Sequence, residues 1–306
     1  MGLLMGNFQL IQKDDVRELT KLFNHVFTYD QITPELMHEK IFDEDFFLEP
    51  ANIKYVEDGI IMAFASGYIR VYKGKKTGWI KLIAASDQKS RGPILEKTFN
   101  KIENILIDRD VKLIRFMDSF PNYFRPGIDP RYTSLISLLH DWGYEKRRDN
   151  VNMIADLENN NFATESEEEN LRNKEQIIIK RAGSEDQNLV MEFMKDKFSV
   201  WISEVRKAYE QKPIPLHIAI KNDKVIAFSA HNCNNIGTGW FGPMGTSPEA
   251  RGKGLGAILL KRCLRDMQTA GLKKSIIPWV GPIGFYYQKV GAEVHRVFWN
   301  YQKEIL

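Results

Sequence analysis

The period of the apolar positions changes repeatedly along the chain, and the same order of changes occurs twice. In the first half, "FQLI" (8–11) reads as a strand, Asp14 to Phe27 as an amphipathic helix, and "TPELMHEKIF" (33–42) as a second helix with Thr33 as N-cap and Pro34 at the first position. Strands follow at "NIKYVED" (52–58), "IIMAFASGYIRVY" (60–72) and "WIKLIAA" (79–85), the first two joined through Asp58-Gly59. A helix near 92–109, the strand "VKLIRF" (111–116), a helix near 131–141 and the strand "NVNMIADL" (150–157) complete the half.

The second half repeats the plan. "QIIIKRA" (176–182) reads as a strand, Glu185 to about Tyr209 as a helix, and "LHIAI" with "VIAFSAH" as a hairpin turning at Asn222-Asp223. The strand "GWFGPMGT" (239–246) precedes a helix opening at 252–256, then the strand "KSIIPWV" (274–280), the helix "IGFYYQKV" (283–290) and the strand "EVHRVFWNY" (293–301). Each half therefore predicts an α/β unit of the α+β kind, a mixed, mostly antiparallel sheet flanked by helices, and the chain is an internal duplication. Between the halves "ENNNFATESEEENLRNKE" (158–175) is acidic and nearly free of aliphatic residues, so it reads as a linker. The predicted domains are 1–160, a linker at 161–175, and 176–306.

Composition narrows the function classes. A hydrophobic fraction of 43% with 27% charged residues is that of a soluble globular chain. A net charge of +3, without basic runs interleaved with aromatics, argues against a nucleic-acid partner. No apolar stretch approaches the roughly 18 residues of a membrane span. Cys233 and Cys263 provide neither a disulfide framework nor a zinc spacing, so no metal is expected and the reading is cytoplasmic.

Any anion site must then be local, and "ARGKGLGAILL" (250–260) is the candidate. After Gly256 the apolar Leu259, Leu260, Cys263, Leu264 and Met267 recur at helical spacing, and Gly271 closes the helix. The glycines at 252, 254 and 256 thus feed a helix N-terminus, where unpaired N–H groups and the dipole attract phosphate, and Arg251 and Lys253 add charge. "GKGLGA" also fits a dinucleotide fingerprint. The segment about 20 residues further on, "SIIPWV", lacks the acidic residue that fold needs, and no Gly-Lys-Ser/Thr closes a P-loop.

"PEARGKGLGAILL" (248–260) resembles the acetyl-CoA loop of the GNAT N-acetyltransferase superfamily, whose pattern [Q/R]-x-x-G-x-[G/A] is met by Arg251, Gly254 and Gly256. "FYYQKVGA" (285–292) is similar to the family's aromatic-Tyr-x-x-x-Gly signature, with Tyr287 in the place of the tyrosine that protonates the departing thiolate. The resemblance spans roughly 176–306 and is strongest to tandem-GNAT proteins, a subgroup that includes clostridial glucosamine or glucosaminide N-acetyltransferases. It implies acetyl-CoA as cosubstrate, held by Met244, Gly245 and Thr246 and by the loop Arg251, Gly252, Lys253, Gly254, Leu255, Gly256 and Ala257. It further implies a small-molecule amine acceptor, best an amino sugar, and a monomer whose tandem domains are pseudo-dimeric. The asparagine that many members carry before the tyrosine helix is absent, with Trp279 and Gly281 in that zone.

Aligning the halves sets "KSRGPILEKTF" (89–99) against "RGKGLGAILLKRC" (251–263), so that Lys89 stands opposite Arg251, Gly92 opposite Gly254 and Ile94 opposite Gly256. A branched side chain then occupies the place where backbone must approach pyrophosphate, and Pro93 removes a donor. Leu139 faces Tyr287, so the acid is missing as well. The first domain is expected to be a non-catalytic partner, with the aromatic loop "SFPNYFRPGIDPRY" (119–132) walling the acceptor cleft.

Acetyl transfer to an amine requires a polarised thioester, a proton for the leaving sulfur and a neutral nucleophile. Pro243 and its neighbouring glycines interrupt strand pairing and free backbone donors at Met244 and Thr246. Tyr287 is the candidate acid. For the base, His231 is the candidate by residue type, while a carboxylate such as Glu204 or a water route stays open. Trp240 and Trp201 are candidate stacking faces for a sugar. The competing readings are a CoA-binding regulatory module without turnover and a protein or peptide N-acetyltransferase.

Overall fold

The computed structural model describes residues 6–88 and 92–305. The chain divides into two compact units, one of Met1–Asn150 with Val297–Leu306, the other of Val151–Arg296. The first contains β1 (Asn7–Leu10), α1 (Val16–Val26), α2 (Pro34–Ile41), β2 (Phe47–Glu57), β3 (Ile60–Tyr72), β4 (Lys75–Ala85), α3 (Pro93–Ile107), β5 (Leu113–Phe116) and α4 (Thr133–Asp141). Strands β1 to β4 form an antiparallel run, and β5 joins β4 in parallel through Thr77↔Leu113 to Ile80↔Phe116. The Thr33 hydroxyl accepts the Leu36 N–H at 3.2 Å, the expected cap of α2. Helix α3 lies close over the sheet because Gly67 and Gly78 carry no side chain there. A Cβ at either would stand 3.3 Å from Ile102 or 3.2 Å from Leu106.

The second unit contains α5 (Glu165–Glu175), β7 (Ile178–Arg181), α6 (Gln187–Lys197), α7 (Ile202–Tyr209), β8 (Leu216–Lys221), β9 (Lys224–His231), β10 (Phe241–Thr246), α8 (Leu255–Thr269), β11 (Lys274–Ile277) and α9 (Ile283–Val290). Its sheet is antiparallel in the order β10-β9-β8-β7. Two long strands cross the unit boundary along the chain, β6 (Glu145–Asp156) and β12 (Glu293–Glu304). Within the second unit the end of β6 pairs β11, and within the first the end of β12 pairs β5. The compact units therefore part near 150 and 296, inside strands, rather than at the acidic segment.

Two expected elements differ. The acidic segment is no bare linker, since most of it is helix α5, of which Leu171 alone is buried. It is tied to α8 by charge: Glu167 meets Lys261 at 3.1 Å, Glu168 forks onto Arg262 at 2.8 and 2.9 Å, and Glu165 pairs with Arg265. The long helix expected over 185–209 is broken. Phe198 (φ −141°) leaves the helix to pack on Phe193 and Phe228, and a turn at Ser199–Trp201 leads into α7. No helix among the described residues is long and apolar enough to cross a membrane.

Candidate active site

The site in the second unit begins where β10 and β11 separate. They touch through one parallel bridge, Trp240↔Ile276, with the Ile276 N–H donating to the Gly239 carbonyl at 2.8 Å. On its other side β10 pairs β9, and the register shifts between Phe241 and Met244 where Gly242 and Pro243 intervene. Beyond the bridge, the edge of β10 facing away from β9 has no strand ladder among the described residues, so its backbone groups can be offered to a ligand.

The N-terminus of α8 follows directly. Gly252 (φ +83°) and Gly254 (φ +79°) take left-handed conformations that only glycine adopts cheaply, and space around both is open. The first helical bonds run from the Ala257 and Ile258 N–H groups to the Gly254 carbonyl at 3.0 and 3.2 Å, which leaves the preceding donors for an anion. Gly256 faces the strand: a Cβ there would lie 3.3 Å from Met244 Cε, 3.6 Å from Phe285 Cζ and 3.9 Å from Thr246 Oγ1. This geometry sets Gly256 against Met244 and Thr246. Gly245 points the other way, over Phe198.

Helix α9 presents two tyrosines in opposite environments. Tyr286 is buried, its hydroxyl donates to Met244 Sδ at 3.4 Å, and burial pushes it up to about 12. Tyr287 is 61% exposed and therefore is not a packing aromatic.

His231 lies under α8, where its Nε2 is 3.3 Å from Asp266 Oδ2. The same carboxylate receives His217 Nε2 at 2.7 Å and Arg181 at 2.7 Å, while Arg262 Nε donates to His217 Nδ1 at 3.0 Å. Burial lowers His217 against the pull of Asp266, consistent with the neutral tautomer that this donor requires. For Asp266 burial acts upward, but the two histidines and Arg181 outweigh it and hold the carboxyl far below the usual range. None of these partners was legible in the sequence, because they come from separate elements.

Lys253 is also engaged. Its Nζ and that of Lys221 share Glu175 Oε2 at 2.8 and 3.2 Å, and these lysines hold Glu175 below the ordinary carboxylate range. Trp240 is 1% exposed, so it is corrected from a stacking face to a buried residue. Trp201 stacks on Phe198 at 5.6 Å, which commits that face to the protein, and Glu204 is buried on α7. Cys233 and Cys263 are buried and unpaired.

The corresponding helix end of the first unit is closed. The Asp87 carboxylate accepts the N–H groups of Ile94 at 2.8 Å and Leu95 at 3.1 Å, occupying the donors an anion would need. Leu139 is buried. Lys89, the residue aligned with Arg251, lies outside the described residues.

Residues 187–291 match the family model "Acetyltransferase (GNAT) family". No curated protein sequence matches significantly. Among solved structures, the chain is similar to a glucosamine N-acetyltransferase region of a fungal multi-domain GH3 beta-N-acetylglucosaminidase, with 16% identity, TM-score 0.81, and coverage of 99% of this chain and 38% of that one. A GCN5-related N-acetyltransferase from Sphaerobacter thermophilus is 17% identical over 98% of this chain and 95% of that one, with TM-score 0.69. A tandem GNAT protein from the clavulanic acid biosynthesis pathway is 12% identical with TM-score 0.66 and 98% coverage of both chains. At these identities the likeness carries the fold, a GNAT-like architecture matched along the whole chain. The family match thus assigns residues 187–291, within the second unit, to a GNAT-family acetyltransferase domain.

Proposed function

We propose that the second unit transfers an acetyl group from acetyl-CoA to the primary amine of a small molecule, an amino sugar in particular, and that the first unit is a non-catalytic partner. The observation that supports this reading is the opening at the N-terminus of α8, where glycine backbone meets the edge of β10. Acetyl-CoA supplies a thioester for direct attack by the amine. Backbone N–H groups of 252–256 bind its pyrophosphate, and Arg251 adds charge. Donors on β10 at Met244 and Thr246 hold the pantetheine arm and polarise the thioester oxygen. Tyr287 gives its proton to the departing sulfur. His231 commits Nε2 to Asp266 and faces α8, so we assign removal of the amine proton to water.

The amino-sugar class is supported by the fold shared with a glucosamine N-acetyltransferase region and by the tandem arrangement. The inert first unit is supported by Asp87 at the N-terminus of α3 and by Ile94 and Leu139 at the places of Gly256 and Tyr287. Release of free CoA thiol, followed across amino sugars, other small amines and peptide N-termini, tests the assignment. Turnover should be fastest with an amino sugar. Tight binding of acetyl-CoA without thiol release on any amine would refute the transferase reading and leave a CoA-binding module.

A further inference from the structure

The first unit holds a cluster with no part in the reaction above, on the sheet face away from α3. Gly67 and Gly78 lie beneath α3, so strand alternation sends Tyr68, Arg70 and Tyr72 of β3 and Trp79 of β4 to the other face. There the Arg70 guanidinium sits 4.3 Å from the ring centroid of Phe120, 5.3 Å from Phe46, 5.7 Å from Trp79 and 5.8 Å from Tyr72. Rings engage the flat faces of a guanidinium and leave its N–H donors, which lie in the plane, for an acceptor.

That acceptor is missing among the described residues. Arg70 is half-buried and has no ion pair there, since the nearby acids are committed elsewhere: Glu44 to Lys81 at 2.5 Å and Asp118 to Arg115. A guanidinium held rigid by aromatic walls with no carboxylate is an uncompensated, preorganised cation. A second observation points the same way. The buried Trp79 Nε1 and Asp118 Oδ1 face each other without closing a well-formed hydrogen bond, so the wall beside the Arg70 and Arg115 guanidinium groups is not tightly locked. The Phe46 ring is 37% exposed, so one wall of the cluster is open.

We infer that this aromatic cage binds a small organic anion, a carboxylate or phosphate carried on an aromatic or sugar ring. The fork of Arg70 takes the anion, and the exposed edge of Phe46 takes the ring. The site is independent of the acetyl-transfer assignment and lies wholly within the first unit.

Isothermal titration of the full chain with benzoate, phenyl phosphate and glucose 6-phosphate tests it and separates the possible carriers. Benzyl alcohol and inorganic phosphate are the controls. At least one ring anion should bind with Kd below about 1 mM and about tenfold or more tighter than both controls. Arg70→Met should weaken that binding by about tenfold or more while acetyl-CoA binding is unchanged. Arg70→Lys, which keeps charge without the fork, and Phe46→Ala, at the open wall, should each weaken it severalfold and remain informative if Arg70→Met fails to fold. The inference is overturned if no ring anion binds below about 1 mM, if the controls bind as well, or if the folded Arg70 and Phe46 variants bind as the parent does.

Discussion

Replacing Gly256 by isoleucine, the residue found at the aligned position 94, separates a phosphate cradle from a merely flexible turn. One added carbon would press on the mobile end of Met244 at 3.3 Å, so Gly256→Ala should fold normally and lose little affinity. Isoleucine places three more carbons among Met244, Phe285 and Thr246. Overpacking of that kind costs about 1–3 kcal/mol, offset by several tenths from the better helix propensity of isoleucine over glycine. For a unit of this size the melting temperature should fall by a few degrees, at roughly 2–4 °C per kcal/mol. Binding should suffer far more. Hydrogen bonds to a charged group contribute about 1.5–3 kcal/mol each, and denying the phosphate two backbone donors removes about 3–6 kcal/mol, or 10²–10⁴-fold in Kd. Titration calorimetry with acetyl-CoA, paired with a melting curve, reads both quantities. A folded Gly256→Ile protein that binds acetyl-CoA as tightly as the parent would refute the cradle.

Tyr287→Phe should lower kcat by about 10²–10⁴-fold with acetyl-CoA affinity nearly unchanged. Since the ring is 61% exposed, stability should move by less than about 0.5 kcal/mol, and a kcat within about threefold of the parent, with chemistry rate-limiting, would remove the tyrosine from the mechanism. Asp87→Ala strips the cap from α3 and should destabilise the first unit by about 0.5–2 kcal/mol, yet acetyl-CoA should still bind once per chain because Pro93 and Ile94 remain. A stoichiometry of two, in either protein, would show that the first unit is not inert. His217 has its folded pKa lowered by burial, so the unfolded chain takes up the proton first as pH falls through about 6.5. Its contribution is complete above that pH and lost below it, at a slope of up to about 1.4 kcal/mol per pH unit. Asp118, raised to about 6 by burial, acts in the opposite sense in the first unit, so the informative measurement is the difference between parent and His217→Gln melting curves from pH 7.5 to 5. Parallel curves would exclude His217 as the source.

Elements with a strong apolar period were legible from the sequence: α8 and α9 begin and end close to where their patterns predict, and the hairpin turns at Asn222 and Asp223 with positive φ. Helix α5 was not, because its stabilising partners lie on another helix. Lys261, Arg262 and Arg265 lie on the polar side of α8, and a one-dimensional pattern cannot reveal that Glu165, Glu167 and Glu168 pair with them. Apolar periodicity likewise cannot mark Phe198, whose ring suits a helix core and the sheet face equally well. The unit boundaries were hidden for a topological reason: β6 and β12 look like ordinary closing strands of their own halves, whereas each ends in the other unit.

What the sequence announced about the candidate site is its consecutive backbone. Glycines before an apolar helix leave its N-terminus open, and the left-handed conformations of Gly252 and Gly254 are of the kind that a sequence pattern can announce without knowledge of a partner. Side-chain chemistry obeys no such local rule. His231 invited a catalytic reading from its residue type, yet its environment is set by Asp266, thirty-five positions away, which it shares with His217 and Arg181. The two helix ends show the same contrast. Pro93 and Ile94 announce a weakened anion site in the first unit, but what closes it is Asp87, a carboxylate accepting from the donors of Ile94 and Leu95. A carboxylate on a helix N-terminus and a phosphate on a helix N-terminus satisfy the same N–H groups and the same dipole. On the proposed function, the duplicated scaffold has two outcomes, set by whether the anion at that position belongs to the chain, as Asp87 does, or to a ligand.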